Sequence, residues 1–193
     1  MKMYGITIVS CCLTISIIGG CQSKQKDVKT SVNVVSEMAT AAAKGDYLGG
    51  VAIGENYLRD NPGDTNVLEQ TAILTLARAK QDQKNREVLV SRAVLLVDRS
   101  VKSSRSQEDE VNRFADRFVP ARAFESAGDL SSDKCRYYRR ALTLNNEAAM
   151  ALSVESLKSS GNKEISTKPL REQSRRLQSE LEKRILESRY GND

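Results

Sequence analysis

The chain reads as all-α. Three observations predict this. Apolar residues recur at three- and four-residue intervals in one segment after another. No stretch alternates apolar and polar residues convincingly enough for a half-buried strand. The turn signals Gly45-Asp46, Asn61-Pro62-Gly63-Asp64 and Gly128-Asp129 fall between those segments, where helices of ordinary length would stop.

The amino end stands apart from the fold. Lys2 precedes an apolar stretch from Ile6 to Ile18, and Gly19, Gly20 and Cys21 follow it. A basic end, an apolar centre and a small-residue exit are the layout of an export signal. A retained spanning helix is the competing reading, but it needs about 20 apolar residues. Residues 6–20 are fewer and are interrupted by Thr7, Ser10, Thr14 and Ser16. Ile18-Gly19-Gly20-Cys21 resembles the lipobox of bacterial lipoproteins. Ile18 replaces the commoner leucine, and the basic end has a single lysine. The resemblance implies a diacylglycerol on the Cys21 thiol and removal of residues 1–20 as a signal peptide. It implies a place in the cell envelope, outside the cytoplasm, with the chain bound to the membrane through its lipid. Gln22 stands where aspartate commonly retains such proteins in the inner membrane, so the outer membrane, facing the periplasm, is expected. Residues 21–30 are polar and aperiodic and read as a flexible tether.

The first helix follows from Val32, Val35, Met38, Ala39, Ala42 and Ala43, and Gly45-Asp46 breaks it. A second runs from about Tyr47 to Arg59 on Val51, Ile53, Tyr57 and Leu58. Pro62 cannot continue it, and Gly63 suits a left-handed exit turn. Thr65 is the expected cap of a third helix carrying Val67, Leu68, Ala72, Leu74 and Leu76. After the polar turn Gln81 to Asn85, the Val- and Leu-rich run from Val88 to Val101 reads as a well-buried helix, too long for a strand. Ser103 to Ser106 reads as a loop, and Ser106 with Asp109 opens the next helix. That helix holds Val111, Phe114, Phe118 and Phe124, and Pro120 either kinks it or splits it. A helix from Lys134 to Leu144, a break at Asn145-Asn146 and a further helix from Ala148 to Leu157 follow. Residues 159–168, opening on Ser159-Ser160-Gly161-Asn162, read as a linker. The last helix, in 169–193, carries Leu170, Leu177, Leu181 and Ile185 as one stripe. That stripe either caps the fold or docks a partner helix. The pairs Arg175-Arg176 and Lys183-Arg184 are expected to face solvent, with Glu172 and Glu180 one turn back.

Composition excludes much chemistry. There is no histidine, the commonest general base near neutral pH and a frequent metal ligand. No Cys-x-x-Cys, GxGxxG or P-loop pattern occurs. Glu108-Asp109-Glu110 are adjacent and point apart on a helix, so they read as an acidic helix start. The expectation is no enzyme activity, no metal and no cofactor beyond the lipid. Once Lys2 leaves with the signal, the net charge of +5 becomes +4, spread along the chain, so no nucleic-acid partner is expected. Cys135 is the one cysteine left beside Cys21, so no internal disulfide is expected. It reads as a small core residue, although Lys134 and Arg136 beside it would favour a thiolate.

Ala43-Lys-Gly45-Asp46-Tyr47, with Pro62 17 residues after Gly45, resembles a tetratricopeptide repeat. A second stretch is similar: Gly128-Asp129, then Tyr137-Tyr138-Arg139-Arg140-Ala141-Leu142-Thr143-Leu144-Asn145, with Asn146 where proline is usual. A degenerate pair lies between them. The resemblance, over residues 31–158, implies a TPR-like stack of antiparallel helix pairs, an α-solenoid, with a C-terminal capping helix. A generic helical bundle competes with it. Such stacks bind peptides on an inner surface. Carried over to this chain, that surface would include Val35 and Ala39 on one helix and Asn66, Glu69 and Ile73 on another. The expected function is a membrane-anchored noncatalytic adaptor for an envelope protein or peptide segment, supporting assembly of a complex such as a pilus or secretion system. The alternative is an immunity or entry-exclusion lipoprotein that blocks a toxin or conjugation apparatus.

Overall fold

In a computed structural model of the chain, residues 30–104, 110–152, 156–158 and 164–190 are described. They are helical almost throughout, as the apolar spacing predicts. The helices are α1 (Ser31–Ala43), α2 (Tyr47–Asp60), α3 (Thr65–Gln81), α4 (Arg86–Ser103), α5 (Glu110–Leu130), α6 (Lys134–Ala151) and α7 (Lys168–Tyr190). Each packs against its neighbour in sequence. In addition α1 packs on α3, and α3 on α5, so these three helices form a row.

Short polar turns set the element ends. Asp46 caps α2 by accepting from the Gly49 N–H at 2.8 Å. Gly45 has φ +76°, a left-handed geometry that a side chain would strain. Thr65 is not the cap of α3. Asp64 takes that place, its carboxylate accepting from the Val67 N–H at 3.1 Å. The same carboxylate accepts from the Ser31 hydroxyl and the Tyr57 hydroxyl, each at 3.1 Å, and so ties α1, α2 and α3 together. Gly63 has no left-handed φ; the turn closes with the Asp64 N–H donating to the Asn61 carbonyl at 3.2 Å.

One core draws on all seven helices. Val34 and Met38 of α1, Val51 and Leu58 of α2, and one face of α4 converge on α3. Gly54 of α2 lies so close to Thr71 and Met38 that a Cβ there would collide with both. Thr71 and Thr75 are buried on α3, and each donates 2.7 Å to the carbonyl four residues earlier, so neither hydroxyl is left unpaired. On α1, Val32 is exposed and Val34 takes its place inside. α4 is amphipathic and not buried all round. Val88 is 70% and Leu95 66% exposed, while Leu89, Val90, Ala93, Leu96 and Val97 are buried.

Four further expectations are corrected. Ser103 belongs to α4 and Ser104 is its C-cap, while the rest of the expected loop, Arg105 and Ser106, and the Ser106–Asp109 start lie outside the described residues. Pro120 does not split α5, which runs through it. Asn145-Asn146 does not break α6. Asn145 is fully buried on the face toward α7, where its amide donates to the Ser174 carbonyl and accepts from the Ser174 hydroxyl, both at 3.0 Å. Propensity at one residue is outweighed by this tertiary pairing. The expected linker contains a strand of a short antiparallel hairpin, β1 (Ser156–Lys158) with β2 (Glu164–Ser166), Leu157 opposite Ile165. β1 takes up the tail of the expected Ala148–Leu157 helix.

α7 lies with Leu177, Leu181 and Ile185 buried against the rest, so the stripe is spent inside the chain. Replacing Asn145 by alanine is expected to cost about 1–3 kcal/mol in urea unfolding, because the Ser174 carbonyl loses its buried donor. Ser174→Ala combined with it is expected to cost less than the sum of the two single changes, which a double-mutant cycle reads directly.

Candidate binding surface

The residues singled out in sequence separate into two groups once folded. Asn66 is exposed and Ile73 is 38% exposed, and at a spacing of seven they share the outer stripe of α3. Ala39 is exposed on the neighbouring α1. Val35 is half-buried and packs against the core. Glu69 is half-buried and turns inward, where its carboxylate accepts from the buried Ser100 hydroxyl of α4 at 2.7 Å. Ala39, Asn66 and Ile73 therefore offer open surface, while Val35 and Glu69 hold helices together. Cys21 lies outside the described residues.

Glu69 belongs to a polar cluster where α3, α4 and α5 meet. Burial pushes its carboxyl up to about 7, against the lowering effect of the Ser100 hydrogen bond, and the Asp116 charge raises it further. Asp116 of α5 is raised as well, first by burial, with Arg117 opposing. Its Oδ2 is buried and has no hydrogen-bond partner. Pro120 explains where the nearby cation has gone. A proline lacks an N–H, so the carbonyl of the residue four before it, Asp116, loses its helical donor. The Arg117 guanidinium donates to that carbonyl at 3.1 Å, donates to the Ser104 hydroxyl at 2.9 Å, and pairs with Glu147 of α6 at 3.0 Å.

A second cluster joins α5, α6 and α7. Arg184 is not a solvent-facing residue with one partner. It pairs with Glu180 at 2.8 Å, Asp129 at 2.5 Å and the buried Glu125 at 3.5 Å, and lies 5.7 Å from the centre of the Tyr138 ring. The Tyr138 hydroxyl donates to Asp129 at 2.8 Å, and burial followed by this bond pushes its titration up to about 12. The Tyr138 ring rests on Gly128, where any Cβ would collide with it. The anticipated Glu172–Arg176 pair is present and exposed. Glu87, at the start of α4, accepts from the Ser131 hydroxyl at 3.0 Å and the Ser132 N–H at 2.7 Å, joining α4 to the α5–α6 turn. These bonds, the Ser132 backbone first, hold its carboxyl below the ordinary range.

Two cavities are lined by charged side chains. One of about 600 Å³ at the start of α7 is lined by Lys168, Arg171 and Arg175, but the Arg171 Nε is spent on the Leu152 carbonyl at 2.9 Å. Another, of about 460 Å³, is lined by Lys134, Cys135, Tyr138 and Arg184. Cys135 is half-buried there, at the edge of the core and not inside it. Among the described residues no three His, Cys, Asp or Glu gather to hold a metal ion, and no helix is long and apolar enough to cross a membrane.

Of these features, the Ser100, Asp116, Arg117 and Asn145–Ser174 contacts were not read from the sequence. The one available signal was Pro120 with an arginine three positions before it. Comparison with family models, curated proteins and solved structures finds no match to this chain.

Arg184→Met is expected to cost about 1–2 kcal/mol, between the ranges for exposed and buried ion pairs. The cost falls as the pH is lowered, because Glu125, already raised by burial, takes up a proton and no longer needs the cation. Thermal melts of both proteins from neutral to acidic pH give the comparison.

Proposed function

We propose that the chain is a membrane-anchored, noncatalytic adaptor lipoprotein that binds a protein or peptide segment of the cell envelope. The observation that carries the reading is the row in which α1, α3 and α5 pack side by side and α3 presents Asn66 and Ile73 outward. A row of this kind is what a tetratricopeptide-like stack uses to bind extended segments. Support for the repeat comes from the two stretches that resemble it. The first closes on Gly45 in a left-handed turn, and the second seats Tyr138 on Gly128. Support for a cap comes from α7, whose apolar stripe is buried and whose outer face is charged.

The lipid anchor rests on the sequence around Cys21. A tether of a few residues would confine the stack close to the bilayer and raise its effective concentration toward partners there. Support of pilus or secretion-system assembly is the setting this reading favours.

Two measurements test it. Cells fed an alkyne palmitate should label the wild-type chain and not Cys21→Ala, and that variant should leave the membrane fraction; unchanged membrane retention would remove the anchor. The tagged mature chain should capture a partner from detergent-solubilised membranes. Ile73→Asp should weaken capture roughly tenfold, the loss of about 1.4 kcal/mol from one apolar contact, with helical circular dichroism unchanged. Equal capture by both proteins would exclude the α3 face. A captured toxin or conjugation component would instead favour the blocking role.

A further inference from the structure

We propose that the junction of α3, α4 and α5 is a pH-responsive joint. With its acids protonated, the joint holds α5 against the first four helices. With them ionised, it loosens that contact. The geometry comes first. Glu69 reaches across from α3 to the buried Ser100 of α4 at 2.7 Å. Asp116 enters from α5 with one carboxylate oxygen buried and unpartnered. Arg117 could neutralise a second charge, but its guanidinium is committed to the carbonyl freed by Pro120, to Ser104 and to Glu147. Among the described residues the joint thus holds the two acids Glu69 and Asp116 and the Arg117 cation, which is already engaged.

The charged groups on the other helices packed against α3 are engaged or remote from the joint. Glu37 of α1 is exposed. Glu55 of α2 pairs with Arg92 of α4, and Arg99 of α4 donates to the Pro62 carbonyl at 2.8 Å. The field on Glu69 comes from Asp116, and the field on Asp116 from Arg117. Because the Glu69 carboxyl is raised to about 7, its protonated form is the one the closed joint prefers. The stabilisation is complete below the ordinary carboxylate range and is lost as the pH rises toward about 7. Asp116, raised in the same direction, adds to it.

The experiment is amide hydrogen exchange on the full chain from about pH 5 to about pH 8, corrected for the intrinsic rate. In α4 and α5 around Ser100 and Pro120, opening should increase roughly tenfold per pH unit until about 7 and then level off. Glu69→Gln keeps an acceptor for Ser100 and removes the charge, so most of the rise should vanish. Asp116→Asn should move the levelling point to lower pH. Flat wild-type opening across this range would overturn the proposal, as would a full rise persisting in Glu69→Gln. If Glu69→Gln does not fold, Asp116→Asn alone decides: an unmoved levelling point overturns it.

Discussion

Helix α3 must be buried over a wide face, and the rest of the structure is arranged around that constraint. Val67, Leu68, Thr71, Ala72, Leu74, Thr75, Leu76 and Ala79 are all buried, and α1, α2, α4 and α5 all pack against this one helix. No single neighbour can cover so wide a face. Two threonines in that interior are tolerable only because each hydroxyl folds back onto its own helix. Gly54 brings α2 within contact of α3, and Asp64 fixes where α3 begins relative to both helices before it.

Around the apolar interior, polar contacts set the register between successive helices. Asp64 serves the first three, Glu69 and Ser100 the α3–α4 pair, and Glu87 the step to the α5–α6 turn. Arg117 links α4, α5 and α6, Arg184 links α5, α6 and α7, and Asn145 locks α6 to α7. Apolar packing is forgiving about sliding, whereas a buried hydrogen bond is satisfied in one position only. That division of labour accounts for a stack whose helices differ in length yet meet at defined places.

The helical character, the turns at Gly45 and Pro62, and the stripe of α7 were legible because they are local: periodicity, a missing donor, a left-handed residue. Asn145 was misread for the opposite reason. Its amide favours a turn when considered alone, and only the distant Ser174 makes it a helical core residue. Val88 and Leu95 were placed inside because an apolar side chain announces hydrophobicity but not which face of α4 is covered. On the candidate surface, Asn66 and Ile73 came from the resemblance to a repeat and lie exposed, while Glu69, placed beside them by the same resemblance, turns inward because its partner Ser100 lies 31 residues away.

The two ends of the stack are secured very differently. α7 buries Leu177, Leu181 and Ile185 and is fastened by Ser174 and Arg184. α1 fully buries Val34 and Met38 alone and is fastened to the others through Ser31. Mechanical load entering ahead of Thr30 would therefore act on the terminal helix with the fewer buried anchors. Under tension α1 would peel away before α7, as a fuse that yields while the better-fastened end keeps its shape.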